Sequence, residues 1–140
     1  MIRRDWLMQV IEQLGDFVRK VAGLADKGKY EEALDMSSRA WSELLDVPRD
    51  VVDRVDGPTL AELLREPAKM RAAAKLLVEE ARAYAGKGDP MHATLCYRRA
   101  YELMLEARAQ EPAADDDATI FELSRHVPPG EVHERYRSRL

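Results

Sequence analysis

An all-α fold built from antiparallel helical hairpins is what this sequence predicts, and three observations carry that prediction. Apolar residues recur at steps of three and four along most of the 140-residue chain, the period of a helix with one buried face. Proline and glycine cluster between these runs, where turns belong. Two segments also repeat one pattern. Gly28-Lys29-Tyr30-Glu31-Glu32-Ala33-Leu34 closes on Ala40-Trp41, and Gly88-Asp89-Pro90-Met91-His92-Ala93-Thr94 closes on Ala100-Tyr101. Each pairs a glycine with two downstream alanines at matching offsets, the second backed by an aromatic, as where one helix hands over to the next in a stacked hairpin.

The elements follow in order. From Asp5 to about Asp26, Leu7, Ile11, Leu14, Val18, Val21 and Ala25 form one stripe, and Val10, Phe17 and Leu24 widen it beyond what a single neighbour covers. Gly28 suits a left-handed cap. The second helix turns Tyr30, Ala33, Leu34, Ser37, Ala40, Trp41 and Leu44 inward. Residues 46–66 break the pattern with Pro48, Gly57 and Pro58 but keep aliphatic residues at helical spacing, so they read as an ordered helical insert. There Asp46 is placed to open a brief helix through Val51, Val52 and Val55. Thr59 and Glu62 have the spacing of a capping box ahead of Leu60, Leu63 and Leu64.

A third long helix carries Met70, Ala73, Ala74, Leu77, Ala81 and Tyr84 on its inner face and ends at Gly86 and Gly88. Pro90 fits the first turn of a fourth, where its missing N–H is harmless, and Ala93, Cys96, Tyr97, Ala100, Met104 and Ala107 face inward. The expected organisation is a helical-hairpin domain over 1–112, with the insert at 46–66, and a C-terminal short helix with a loosely held tail over 113–140.

The second pair of helices resembles a tetratricopeptide repeat, with Ala81 and Tyr84 on its first helix and Gly88, Ala93, Tyr97 and Ala100 after the turn. The first pair is similar, with Val21, Leu24, Gly28, Tyr30, Ala33 and Ala40. Gly28 and Gly88 lie further apart than the roughly 34 residues of a tandem repeat, which makes this a repeat-like four-helix core with an insert. The opening Met1-Ile2-Arg3-Arg4-Asp5-Trp6-Leu7, joined to the Gly-x-Tyr-x-x-Ala hairpin, is also similar to the start of short uncharacterised bacterial proteins with tetratricopeptide-like helices. That resemblance implies a fold and a peptide-holding groove, and no known activity.

Composition narrows the function classes. With 22 basic and 26 acidic residues the net charge is −4, giving no general attraction to nucleic acid or acidic lipid. The arginines near the ends, Arg3, Arg4, Arg135, Arg137 and Arg139, leave nucleic-acid binding as a weak third choice. A single Cys96 closes no internal disulfide, which fits a reducing, cytoplasmic home. No run of about 18 apolar residues suggests a membrane span.

Catalytic chemistry finds little footing. His92 and Cys96 stand one helical turn apart but lack further ligands for a metal, and Asp115-Asp116-Asp117 lacks the spacing and glycine of a calcium loop, so these acids read as helix-starting charges. His126 and His133 have no partnered nucleophile. Trp6, Trp41, Tyr97 and Tyr101 read as core aromatics. We therefore expect no catalytic residue, cofactor or metal. The expected function is a non-enzymatic interaction module that holds a protein or peptide partner in a helical groove, with Arg71, Lys75 and Arg82 receiving an acidic segment. The doubly apolar first helix suggests a homodimer through Trp6, Leu7 or Val18. The asparagines that carboxylate-binding members of the family use are absent from the chain. The competing expectation is a small-molecule sensor or enzyme with Tyr84, Tyr97 and Cys96 around an interior pocket.

Overall fold

The computed structural model describes residues 2–138, with side chains from Arg4 onward. Among these are eight α-helices and no strand: α1 Ile2–Asp26, α2 Tyr30–Ala40, α3 Arg49–Arg54, α4 Gly57–Leu64, α5 Pro67–Gly86, α6 Pro90–Gln110, α7 Asp116–Ser124 and α8 Glu134–Arg137. A π-helical turn, Trp41–Leu45, extends α2, and a 3-10 turn, Pro129–Glu131, precedes α8.

The two matching glycine segments make the same turn. Gly28 and Gly88 take φ of 75° and 85°, which only glycine enters without strain. Each glycine N–H donates back to the alanine three residues earlier, Ala25 or Ala85. The next residue closes the turn, Lys29 onto the Leu24 carbonyl and Asp89 onto that of Tyr84, both at 2.9 Å. These last bonds satisfy carbonyls at the helix end that would otherwise lack a partner. Pro90 then opens α6, where Asp89 accepts the His92 N–H at 3.2 Å.

The central pair is α5 and α6. Helix α5 packs along α6 and also against α1 and α2, while α6 carries α4, α7 and α8. The inner faces expected for both are buried, except that Tyr84 and Tyr97 are half-buried. Burial reaches further round than one stripe, taking in Ala72, Leu76 and Ala83 on α5 and Tyr101, Leu103 and Leu105 on α6. A helix with neighbours on several sides must be apolar on several sides.

Three local readings change. Thr59 does not cap α4: Asp56 does, accepting the Thr59 N–H at 2.9 Å, with Pro58 in the first turn. Aspartate caps at least as well as threonine, and Pro58 suits the start of a helix. Leu60 and Leu64 are buried there while Leu63 is left outside. Asp46 ends the π turn with φ of 57°, and α3 begins after Pro48. The tail is tied down at α8, because its Tyr136 is fully buried and the Tyr136 hydroxyl donates to Glu106 at 3.0 Å.

The helices are held in register by buried acids. Glu80 of α5 is 1% exposed and accepts from Ser37 Oγ at 2.6 Å, Trp41 Nε1 at 2.8 Å and Arg49 Nε at 2.7 Å. One carboxylate thus joins α2, the π turn and α3 to the central pair. Glu102 of α6 accepts from Arg99 at 3.0 Å and from the His133 N–H at 2.7 Å. Arg99 also donates to the Val55 carbonyl at 2.6 Å, tying down the insert. Replacing Glu80 by alanine leaves Arg49 and the Trp41 N–H buried without their acceptor, and should lower stability in urea unfolding by about 3–5 kcal/mol. Trp41→Phe, which removes one donor and keeps most of the packing, should lower it by about 1–3 kcal/mol.

Candidate functional site

A groove of about 700 Å³ lies among α1, α5, α6, α7 and the segments that flank α7. Val18, Ala74, Val78 and Met104 contribute its apolar lining. The three cations nominated by the sequence, Arg71, Lys75 and Arg82, all line it, brought to one side by their spacing along α5.

Their charges are used differently. Arg71 grips Asp116 with Nε and Nη2, both at 2.8 Å, and also donates to the Glu111 carbonyl. Asp116 is buried and accepts the Ala113 N–H at 2.8 Å as well. It is thus more than a helix-starting acid: it fastens α7 to α5. The Arg71 hydrogen bonds hold its carboxyl below the usual carboxylate range. Arg82 leans on Glu79 at 3.3 Å. Burial pushes the Glu79 carboxyl up against the pull of Arg82, and its Oε2 has no hydrogen-bond partner among the described residues. Lys75 is exposed and makes no ion pair among the described residues. On the facing wall the Tyr97 ring stacks on His126 with centroids 4.1 Å apart and planes 9° apart. His126 stands on a separate segment from Tyr97, and nothing in the pattern of either announced the pair.

The residues named for self-association are not on one patch. Trp6 is 52% exposed, with the Lys69 ammonium 4.9 Å from its ring centroid, and Leu7 is half-buried beside it. Val18, about three turns further along α1, lines the groove. Tyr84, Tyr97 and Cys96 do not share a cavity either. Tyr97 lines the groove, Cys96 lines a second cavity of about 140 Å³, and Tyr84 stacks on His92 at 5.0 Å. His92 and Cys96 both line the second cavity, and no three of His, Cys, Asp or Glu gather as metal ligands among the described residues. Near the C-terminus Arg135 pairs with Glu106 at 3.1 Å and Arg137 donates to the carbonyls of Val132 and Gly130. The Arg3 side chain and Arg139 lie outside the described residues. No helix described is long and apolar enough to cross a membrane.

Comparison with known protein families, with curated proteins and with solved structures finds no match to this chain. The geometry of the groove and of the second cavity is therefore the ground for a functional reading.

Two measurements check these environments. The Asp116 carboxyl titrates lower when folded than its unfolded value of about 3.9, so its pair with Arg71 contributes fully above that value and fades as pH falls through the folded one. The stability difference between the wild type and Asp116→Asn should be largest near neutral pH and shrink below about pH 4. Burial, followed by the nearby Glu80 charge, pushes the Cys96 thiol up to about 12. Because the thiolate is the reactive form, Cys96 should resist iodoacetamide at neutral pH in the folded protein and react once urea unfolds it.

Proposed function

We propose that this chain is a non-enzymatic interaction module that stacks its helices in the manner of tetratricopeptide repeats and holds an amphipathic segment of a partner protein in the groove. On this reading α1 with α2 and α5 with α6 are two repeat-like pairs, α7 begins a third, and α3 and α4 are the insert between them. The observation that carries the proposal is the groove itself, which combines apolar residues from three helices with Lys75, a cation that makes no ion pair among the described residues. The internal pairs of Arg71 and Arg82 narrow the acidic recognition expected from the sequence to Lys75, with Arg82 available by exchange from its exposed partner contact. The occupant is then a short helix or strand with an apolar side for Val18, Val78 and Met104 and a carboxylate for Lys75. A reducing, cytoplasmic setting belongs to the same reading, in keeping with the single cysteine.

Two observations favour competing occupants. Exposed Trp6 and Met8, 52% and 57% exposed, offer apolar surface to a second copy. The groove volume also falls within the roughly 300–1,000 Å³ of small-molecule sites. A photo-crosslinking residue at position 78, with a control at exposed Met91, separates these readings in cells of the native host. We expect one partner protein trapped from position 78 alone, and its capture reduced at least about tenfold by Lys75→Glu, the loss of one charge-assisted contact. Self-crosslinking that Trp6→Ala abolishes would assign the surface to a dimer. No crosslink, together with a metabolite that raises the melting temperature, would assign the groove to a small molecule.

A further inference from the structure

The second cavity lies outside the groove, where α3 meets α6, and its polar lining consists of Arg49, Asp53, His92, Arg98 and Arg99 beside Cys96. We propose that it is a binding site for a small tetrahedral oxyanion of the phosphate class, held between Arg98 and Arg49.

The donors come first. Arg49 gives Nε to Glu80 at 2.7 Å and Nη1 to Asp53 at 2.8 Å, but its Nη2 meets only the Cys96 sulfur, at 3.8 Å. A thiol sulfur is a weak acceptor for a guanidinium N–H. Arg98 is half-buried and makes no hydrogen bond or ion pair among the described residues, and its Nε is covered without an acceptor. Arginine does not shed its proton to relieve such a position, so a charge placed there calls for an acceptor. Arg99 lines the same wall but is engaged with Glu102 and the Val55 carbonyl, which leaves Arg98 and the Nη2 of Arg49 as the donors free for a ligand.

Charge and size agree. Three guanidinium groups line the cavity against one carboxylate, Asp53, while Glu80 and Glu102 do not line it. The thiol there is held neutral, its ionisation pushed far above physiological pH. At about 140 Å³ the space is a few waters' worth and well below the roughly 300 Å³ where drug-sized ligand sites begin. It admits an oxyanion or the head of a phosphate monoester and excludes the body of a larger ligand. The planar fork of arginine matches the oxygens of such a group. A bound anion would bridge α3 to α6, adding to the links that Glu80 and Arg99 already make between the insert and the central pair.

The test is titration calorimetry and thermal unfolding of the full chain with inorganic phosphate in a chloride buffer of fixed ionic strength. We expect saturable binding at one site and a raised melting temperature, neither produced by added chloride. Arg98→Gln should weaken binding at least about tenfold, the loss of a charge-assisted hydrogen bond. It should leave the melting temperature without phosphate near that of the wild type, because Arg98 has no hydrogen bond or ion pair to lose among the described residues. Glycerol phosphate binding as well as inorganic phosphate would assign the site to an ester head, and much weaker binding would assign it to the free ion. Absence of heat and of any thermal shift in the millimolar range would overturn the proposal, as would equal phosphate affinity in Arg98→Gln. Should that variant fail to fold, Arg98→Met keeps the length of the stem and drops the charge and the fork, and unchanged affinity in it would likewise overturn the site.

Discussion

A buried carboxylate, Glu80, sets the arrangement on which the rest of this molecule depends. It stands on α5 within the central pair and takes hydrogen bonds from the second helix, from the π turn that extends it and from the first helix of the insert. Removing a carboxylate from water is unfavourable unless its oxygens are met by well-placed donors. The requirement is therefore geometric: Ser37, Trp41 and Arg49 must all arrive for any arrangement to be tolerable. Apolar packing rewards many ways of laying α2 and α3 on α5, whereas three donors converging on one acid reward a single one.

The same device recurs along the chain. Glu102 receives the insert through Arg99 and the tail through the His133 N–H, Glu106 receives the Tyr136 hydroxyl and Arg135, and Asp116 fastens α7 through Arg71. The insert, the tail and α7 are each tied to the α5–α6 pair through a buried acid and at least one strong donor, whereas α1 packs on α5 through apolar residues. These ties explain why α8, with little hydrophobic pattern of its own, packs on α6, and why Tyr136 is among the fully buried large side chains.

The shape available to a ligand follows from these ties. With α7 drawn onto α5 by Asp116, a groove is left between them that the first helix borders with Val18. Holding Asp116 takes up Arg71, so a residue that reads as a free cation for a partner serves as part of the wall. Of the three groove cations, Lys75 is left without an ion pair among the described residues. On the other side of the central pair, Arg49 is divided among three acceptors, and the weakest of these, a thiol, faces a cavity that Arg98 also lines without an acceptor. Lys75 and Arg98 each line a concavity without an ion pair among the described residues, and that combination marks them as places for something else to bind.

Periodicity alone determined the all-α fold, the long central helices and both glycine turns, because these depend on local backbone preferences and on which face of a helix avoids water. The positive φ at Gly28 and Gly88 is legible in the residue itself, and so are the inward alanines at Ala73, Ala81, Ala93 and Ala100. Tertiary structure alone decided which acids would be buried and whose cations they would engage. Glu80 looks like any charge on a solvated face until Ser37, Trp41 and Arg49 converge on it, and Asp116 is indistinguishable in sequence from Asp115 and Asp117. The difference is physical: a helix is specified by neighbours within four residues, whereas an ion pair spanning some forty positions, as Arg71 and Asp116 do, is specified only once the chain has packed and water has been excluded.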